Sequence, residues 1–196
     1  MIVIVDSGGA NITSVSFAIQ RLGVQPILTA DIQQIKKATK VILPGVGSAQ
    51  HAMPLLQQKN LITCIKELAQ PVLGVCLGMQ LLFEKSIEGN TKCLGIIPGQ
   101  IEKIPSKKNL PIPHMGWNTI KKIKPENKIL HNFPDQSYCY FVHSYYAPVT
   151  GYTIAATEYS VPISAIVQKD NFYGCQFHPE KSSNAGTIIL KNFLEL

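Results

Sequence analysis

The chain has 196 residues, 45% hydrophobic and 15% charged, with a formal net charge of +6. That length predicts one domain over 1–196 with enough interior to fold without staples, and that composition excludes wholesale disorder. No apolar run approaches the roughly 18 residues of a membrane helix, and residues 1–5 are too few for a signal core, so a cytoplasmic protein with no membrane partner is expected.

Ile2–Val5 is a continuous β-branched run, the mark of a strand covered on both faces. Residues 6–10 form a turn and Asn11 is a suitable N-cap. Ile12, Val15, Ile19 and Leu22 then fall at helical spacing, with Gly23 as the stop. A strand over 25–28, a short helix over 31–38 and a strand over Lys40–Leu43 follow. Pro44-Gly45-Val46-Gly47 breaks the pattern. One long helix is expected over 49–69, with Pro54 limiting its start. Val72–Val75 reads as another buried strand and 77–83 as helix. After Lys92 the texture changes to short β-like runs at 94–97, 100–104, 119–123, 138–142, 152–156, 163–167 and 173–177, divided by Pro, Gly and Asn. They should extend the sheet with antiparallel or mixed strands, before a last helix over 185–194. The order predicts an α/β fold: a mixed, largely parallel central sheet flanked by helices.

Seven lysines lie between Lys103 and Lys128. Such a field suits nucleic acid, an anionic substrate or an acidic partner. No helix-turn-helix, zinc finger or RNP-type motif accompanies it, so no nucleic-acid partner is expected and a solvated lysine edge is the simpler reading. The five cysteines contain no C-x-x-C pair, which argues against a disulfide framework or a zinc cage. H-E-x-x-H, the phosphate loop and G-x-G-x-x-G are all absent, so no metal and no cofactor are expected.

Three segments carry chemistry. Gly74-Val75-Cys76-Leu77-Gly78 has the form G-x-C-x-G between a strand and a helix, which is the nucleophile-elbow pattern with sulfur in place of oxygen. The helix start favours the thiolate, and the Leu77 N–H points where an oxyanion would form. The alternative is a buried cysteine in a tight turn. In Gln176-Phe177-His178-Pro179-Glu180, an extended backbone places His178 and Glu180 on one face, so Glu180 is able to hold the imidazole while His178 faces a thiol. A solvated loop pair is the alternative. Pro44-Gly45-Val46-Gly47 suits a second oxyanion donor or simply a tight turn.

With these residues in order, the sequence resembles the class I (triad-type) glutamine amidotransferases over essentially its whole length. The motifs are Pro44-Gly45-Val46-Gly47, Val75-Cys76-Leu77-Gly78-Met79-Gln80 and Phe177-His178-Pro179-Glu180. Within that family it most resembles the glutaminase subunits of imidazole glycerol phosphate synthases. The signals are Pro113-His114-Met115-Gly116-Trp117-Asn118, Tyr140-Phe141-Val142-His143-Ser144-Tyr145 and Val167-Gln168-Lys169-Asp170-Asn171-Phe172-Tyr173-Gly174.

The resemblance implies a flavodoxin-like fold and a Cys76, His178, Glu180 triad that hydrolyses L-glutamine through a thioester. Val46, Gly47 and Leu77 are the implied oxyanion hole, with Gly45, Gln80, Ser144 and Tyr145 holding the substrate. It also implies a heterodimer with a (β/α)8-barrel cyclase that receives ammonia through a channel, to form imidazole glycerol phosphate and AICAR in histidine biosynthesis. Relatives are switched on when the cyclase binds its ligand, so the 45–47 peptide is expected to reorient and aim an N–H at the oxyanion. Trp117, Asn118, Lys181 and Asn11 are interface candidates. Trp117 is equally suited to the core, and Lys181 to bulk solvent. His143 is a possible second base or a hydrogen-bonded structural histidine. His51, His114 and His131 have no identifiable partner. Many relatives carry Asp-Tyr-Gly-x-Gly-Asn where this chain has Asp6-Ser7-Gly8-Gly9-Ala10-Asn11, which leaves the triad untouched but alters the docking surface. Other readings are a glutaminase for a different ammonia-using synthase, a non-catalytic scaffold, and another cysteine hydrolase.

Overall fold

The β-branched runs do form the centre of a sheet. The computed structural model describes residues 1–8 and 12–196. Asn11 and the Gly9-Ala10 part of the departing segment lie outside the described residues. β1 (Ile2–Val5), β2 (Ile27–Thr29), β3 (Lys40–Leu43), β4 (Val72–Val75) and β13 (Phe172–Cys175) pair in parallel, in the order β2-β1-β3-β4-β13. β12 (Val161–Lys169), β11 (Thr153–Tyr159), β8 (His114–Lys122) and β9 (Ser137–His143) continue the same sheet antiparallel, with β9 at its edge.

Alternation along each parallel strand feeds two cores. Val3 and Val5 pack to one side, with α2 (Ile32–Lys37), α3 (Ala49–Gln58), α4 (Leu61–Lys66) and α5 (Leu77–Leu81). Ile2 and Ile4 pack to the other, with α1 (Ile12–Arg21) and α6 (Ser183–Glu195). Both faces are therefore covered, which is why these strands read as unbroken apolar runs. Among the described residues no helix is long and apolar enough to cross a membrane.

Several expected elements are corrected. The single helix over 49–69 is two, α3 and α4, divided where Asn60 takes a left-handed φ of 55°. Pro54 lies inside α3 and does not limit its start; Ser48 does, accepting the His51 N–H on its side chain. The helix from 77 stops at Leu81, and β5 (Phe83–Ser86) follows. β5 pairs with β6 (Thr91–Lys92) and β7 (Ile97–Lys103), and β7 with β10 (Tyr145–Tyr146), making a second, four-stranded sheet that the sequence pattern did not announce. Of the run expected over 94–97 only Ile97 is strand. The Leu94 N–H instead bonds the Leu81 carbonyl and closes the loop over α5.

Candidate active site

The three sequence motifs leave the carboxyl ends of β3, β4 and β13, which are neighbours in the sheet. In an open α/β sheet that end is where ligands bind. Cys76 sits between β4 and α5 with φ 53° and ψ −109°, a conformation non-glycine residues rarely adopt. Its N–H donates to the Cys175 carbonyl at 2.8 Å, which pins the elbow to β13. Glycine is required around it. A Cβ on Gly74 would lie 2.6 Å from the Gly78 carbonyl oxygen, and one on Gly78 would lie 1.9 Å from the Leu43 carbonyl oxygen.

His178 follows β13. Its N–H bonds the Tyr140 carbonyl at 2.9 Å, and Ser182 Oγ donates to the His178 carbonyl at 2.7 Å. The imidazole Nδ1 meets Glu180 Oε1 at 2.8 Å, and both side chains are almost fully buried. Cys76 lines the same cavity and raises the ring's affinity for a proton. With Nδ1 taken by Glu180, Nε2 is the nitrogen left for the sulfur. Burial opposes a charged His178, but the hydrogen bonds and charges of Cys76 and Glu180 outweigh it and lift the group to about 10. An imidazolium beside the sulfur, oriented by a carboxylate, has the geometry of a nucleophile with its acid–base partner.

Cys76, His178, Val46, Gly47, Leu77, Gln80, Ser144 and Tyr145 all line one cavity of about 380 Å³. Gly45 does not line it and instead packs against Leu77 and Gly78, while Glu180 stands behind His178. Gln80 Nε2 donates to the Tyr145 carbonyl at 2.8 Å and to Gln176 Oε1 at 3.0 Å. Gln176 Nε2 in turn reaches Cys76 Sγ at 3.8 Å.

A match to the "glutamine amidotransferase class-I" family model covers residues 3–196. This chain is a class I glutamine amidotransferase. It is similar to the protein named imidazole glycerol phosphate synthase subunit HisH of Colwellia psychrerythraea, 49% identical over 209 residues, 99% of this chain and 92% of that one. The subunit of the same name from Bacteroides fragilis is 48% identical over 196 residues, 100% of this chain and 99% of the relative. Among solved structures, a glutamine amidotransferase of Thermotoga maritima has a TM-score of 0.63 at 18% identity, covering 99% of this chain and 80% of that one. Another, titled only glutamine amidotransferase, has a TM-score of 0.76 at 14% identity over 100% and 98%. Both share the fold.

The fold also places the other singled-out side chains. His143 lines the cavity and is hydrogen-bonded at both nitrogens: Nε2 meets His114 Nδ1 at 2.9 Å and Nδ1 meets the Tyr145 carbonyl at 2.8 Å. Burial pushes it down to about 3, with His114 and His178 adding to the shift. His114, which had no identifiable partner, is therefore paired. Trp117 is 53% exposed, beside Met115 at 62% and Tyr138 at 61%, so it is not core. Lys181 lies over the Tyr140 ring, 5.9 Å from its centroid. Asn118 is tied internally to His114 and the Glu158 carbonyl. Sequence reasoning missed Glu88, whose carboxylate lines the cavity and accepts the Ala49 N–H at 3.4 Å. A lone glutamate in a turn gives no local signal. It also missed Ser182 and Gln176, although Gln176 adjoins the motif.

Proposed function

We propose that this chain is the glutaminase subunit of an imidazole glycerol phosphate synthase. One observation carries the chemistry: Cys76, on its strained elbow, shares a cavity with a His178 that Glu180 orients. Whole-chain identity near one half to subunits of that name supports the choice of synthase.

In this reading Cys76 Sγ attacks the side-chain carboxamide carbon of L-glutamine, and its proton rests on His178 Nε2. The Leu77 N–H and the Val46-Gly47 turn stabilise the oxyanion; losing one such donor typically costs about 10²–10³ in rate. His178 gives its proton to the departing nitrogen, ammonia leaves, and a γ-glutamyl thioester remains. His178 then takes a proton from water, hydroxide attacks the thioester, and glutamate departs as the sulfur regains its electron pair. Glu180 fixes the imidazole through Nδ1. Gln80, Ser144 and Tyr145 line the substrate's side of the cavity, and the Glu88 carboxylate suits its α-ammonium group.

The exposed apolar face of β8 and β9 is read as the dock for a (β/α)8-barrel cyclase. Met115 pairs with Val142 and Trp117 with Tyr140 across that hairpin, and Val142 also lines the cavity. A docked partner therefore covers a route from Cys76 to its own site. Covering matters because ammonia in water is largely protonated, and ammonium is no nucleophile. Lys181 at the rim is available to an acidic residue. The whole of 1–196 acts as one glutaminase domain in the cytoplasm, as half of a heterodimer.

The test is glutamate production from L-glutamine by the chain alone, with the cyclase subunit, and with the cyclase plus its ribonucleotide ligand. Turnover that rises in the full mixture and vanishes with Cys76→Ala supports the reading. Absence of turnover in every mixture, despite a stable complex, overturns it.

A further inference from the structure

Two buried histidines pair at the cavity end of the β8–β9 hairpin, His143 lining the cavity itself, and the triad uses neither. His114 is stacked between the rings of Phe141 and Tyr159, at 4.8 and 4.0 Å between centroids. His143 lies beside it, and both are among the buried polar residues.

The direction of every bond around them is set by groups with only one role. The Tyr145 carbonyl accepts only, so His143 Nδ1 at 2.8 Å must carry a hydrogen. A neutral imidazole then has a bare Nε2, and His114 Nδ1 at 2.9 Å must donate to it. That leaves His114 Nε2 bare, and Asn118 Nδ2 at 3.3 Å donates to it. The Asn118 amide is itself fixed: Oδ1 accepts the Thr119 N–H at 2.8 Å and Nδ2 also donates to the Glu158 carbonyl at 3.0 Å. At the other end the Tyr145 carbonyl takes a second hydrogen from Gln80, whose remaining amide hydrogen goes to Gln176 Oε1. Gln176 Nε2 is thereby turned to Cys76 Sγ at 3.8 Å. The Ser144 carbonyl accepts the Ile104 N–H at 3.0 Å, so the carbonyls on both sides of the Ser144-Tyr145 peptide are held.

We propose that His114 and His143 are positioning residues of the glutamine site, both held as neutral Nδ1–H tautomers in a one-way chain of donors that ends on the Tyr145 carbonyl and so fixes the Ser144-Tyr145 wall to which the Gln80 amide also donates. The proposal rests on the reading that this cavity takes glutamine. A charged imidazole at either position would set two N–H groups against each other and break the chain. Burial, which holds His114 near 4 and His143 near 3, removes that state at neutral pH.

The first test needs no turnover. In the wild-type protein labelled with ¹⁵N-histidine, long-range proton–nitrogen spectra at neutral pH should show both residues protonated at Nδ1 and bare at Nε2. An Nε2–H tautomer or an imidazolium at either position overturns the proposal, whatever the enzyme does. The second compares variants in the complex with the cyclase. His143→Leu, which loses the donor to Tyr145, should raise KM for glutamine about tenfold, the factor one hydrogen bond carries, with kcat changed much less. His143→Asn places an amide N–H where Nδ1–H stood and should recover most of that loss. Equal damage in both variants, or an unchanged KM in His143→Leu, also overturns it. A His143→Leu chain that does not fold leaves the tautomer spectrum to decide. Wild-type turnover, measured first, separates failure of the glutaminase reading from failure of this one.

Discussion

Replacing Gly78 with alanine sets two effects against each other. Gly78 lies in α5, where alanine is favoured over glycine by about 1 kcal/mol. Its Cβ, however, would lie 1.9 Å from the Leu43 carbonyl oxygen and 2.9 Å from that carbonyl carbon. Both are backbone atoms of β3, and neither can rotate away. The elbow must move off β3 by about 1 Å, and overpacking of this kind typically costs about 1–3 kcal/mol. Glycines on both sides make the same close approach, since a Cβ on Gly45 would meet the Gly78 nitrogen at 2.8 Å. The upper part of that range therefore applies, and about 2 kcal/mol of stability is lost after the gain in helix propensity. With a urea slope of about 2 kcal/mol per molar, the unfolding midpoint should fall by about 1 M. The same displacement carries the Leu77 N–H away from the proposed oxyanion position, so kcat for glutamate release should fall about 10²–10³-fold. Gly151→Ala is the control: none of the described residues lies within 4 Å of its Cβ, and it should move stability by no more than about 0.5 kcal/mol. A Gly78→Ala protein with an unchanged midpoint refutes the packing argument. One that is destabilised yet turns over normally removes Leu77 from the oxyanion hole.

Cysteine alkylation should separate Cys76 from the rest: burial raises Cys64 and Cys175 and pushes Cys93 to about 11 and Cys139 to about 12. Iodoacetamide on the native chain should therefore label Cys76 first, and early labelling of the Cys76→Ala variant would contradict this. His178 is held at about 10 against an ordinary 6.5, so its stabilising contribution is complete below 6.5 and is lost as pH rises towards 10. The gap in urea midpoint between wild type and Glu180→Gln should accordingly narrow from about pH 6 to about pH 10.5, and a constant gap would be the contrary result. Asp31 caps α2 by accepting the Gln34 N–H at 2.9 Å, so Asp31→Ala should cost about 1 kcal/mol in the same assay; no loss would remove the cap's contribution.

What the sequence made legible follows from where the burial signal is strongest. Ile2–Val5 and Val72–Val75 match the sequence reading to the residue, because a strand covered on both faces has no polar position to blur its ends. Phe83–Ser86 was missed because only its end residues, Phe83 and Ser86, are buried, while Glu84 and Lys85 face solvent. A strand so short and half-exposed has no period to detect, and its partners β6 and β7 lie in a loop-rich region. The long helix was misjudged because Lys59-Asn60 carries no glycine or proline. Asparagine accepts a left-handed φ at little cost, so it ended α3 without an obvious breaker.

The proposed triad was legible for a different reason. A nucleophile on an elbow, a base two residues from its orienting group and a glycine turn each depend on local backbone geometry, and local geometry leaves local sequence marks. Their convergence then follows from topology, because each motif terminates a parallel strand and β3, β4 and β13 are adjacent. The remainder of the cavity wall is held by partners far apart in sequence. Gln80 meets Tyr145 across 65 positions and Gln176 across 96, and His114 meets His143 across 29. No spacing rule joins such residues, and a single sequence shows each as an isolated polar side chain. Only the pairing of β8 with β9 brings His114 opposite His143, and only the approach of α5 to β10 sets Gln80 against the Tyr145 carbonyl. The chemistry of the site is thus written in short motifs, and the rigidity that aims it is written in the fold.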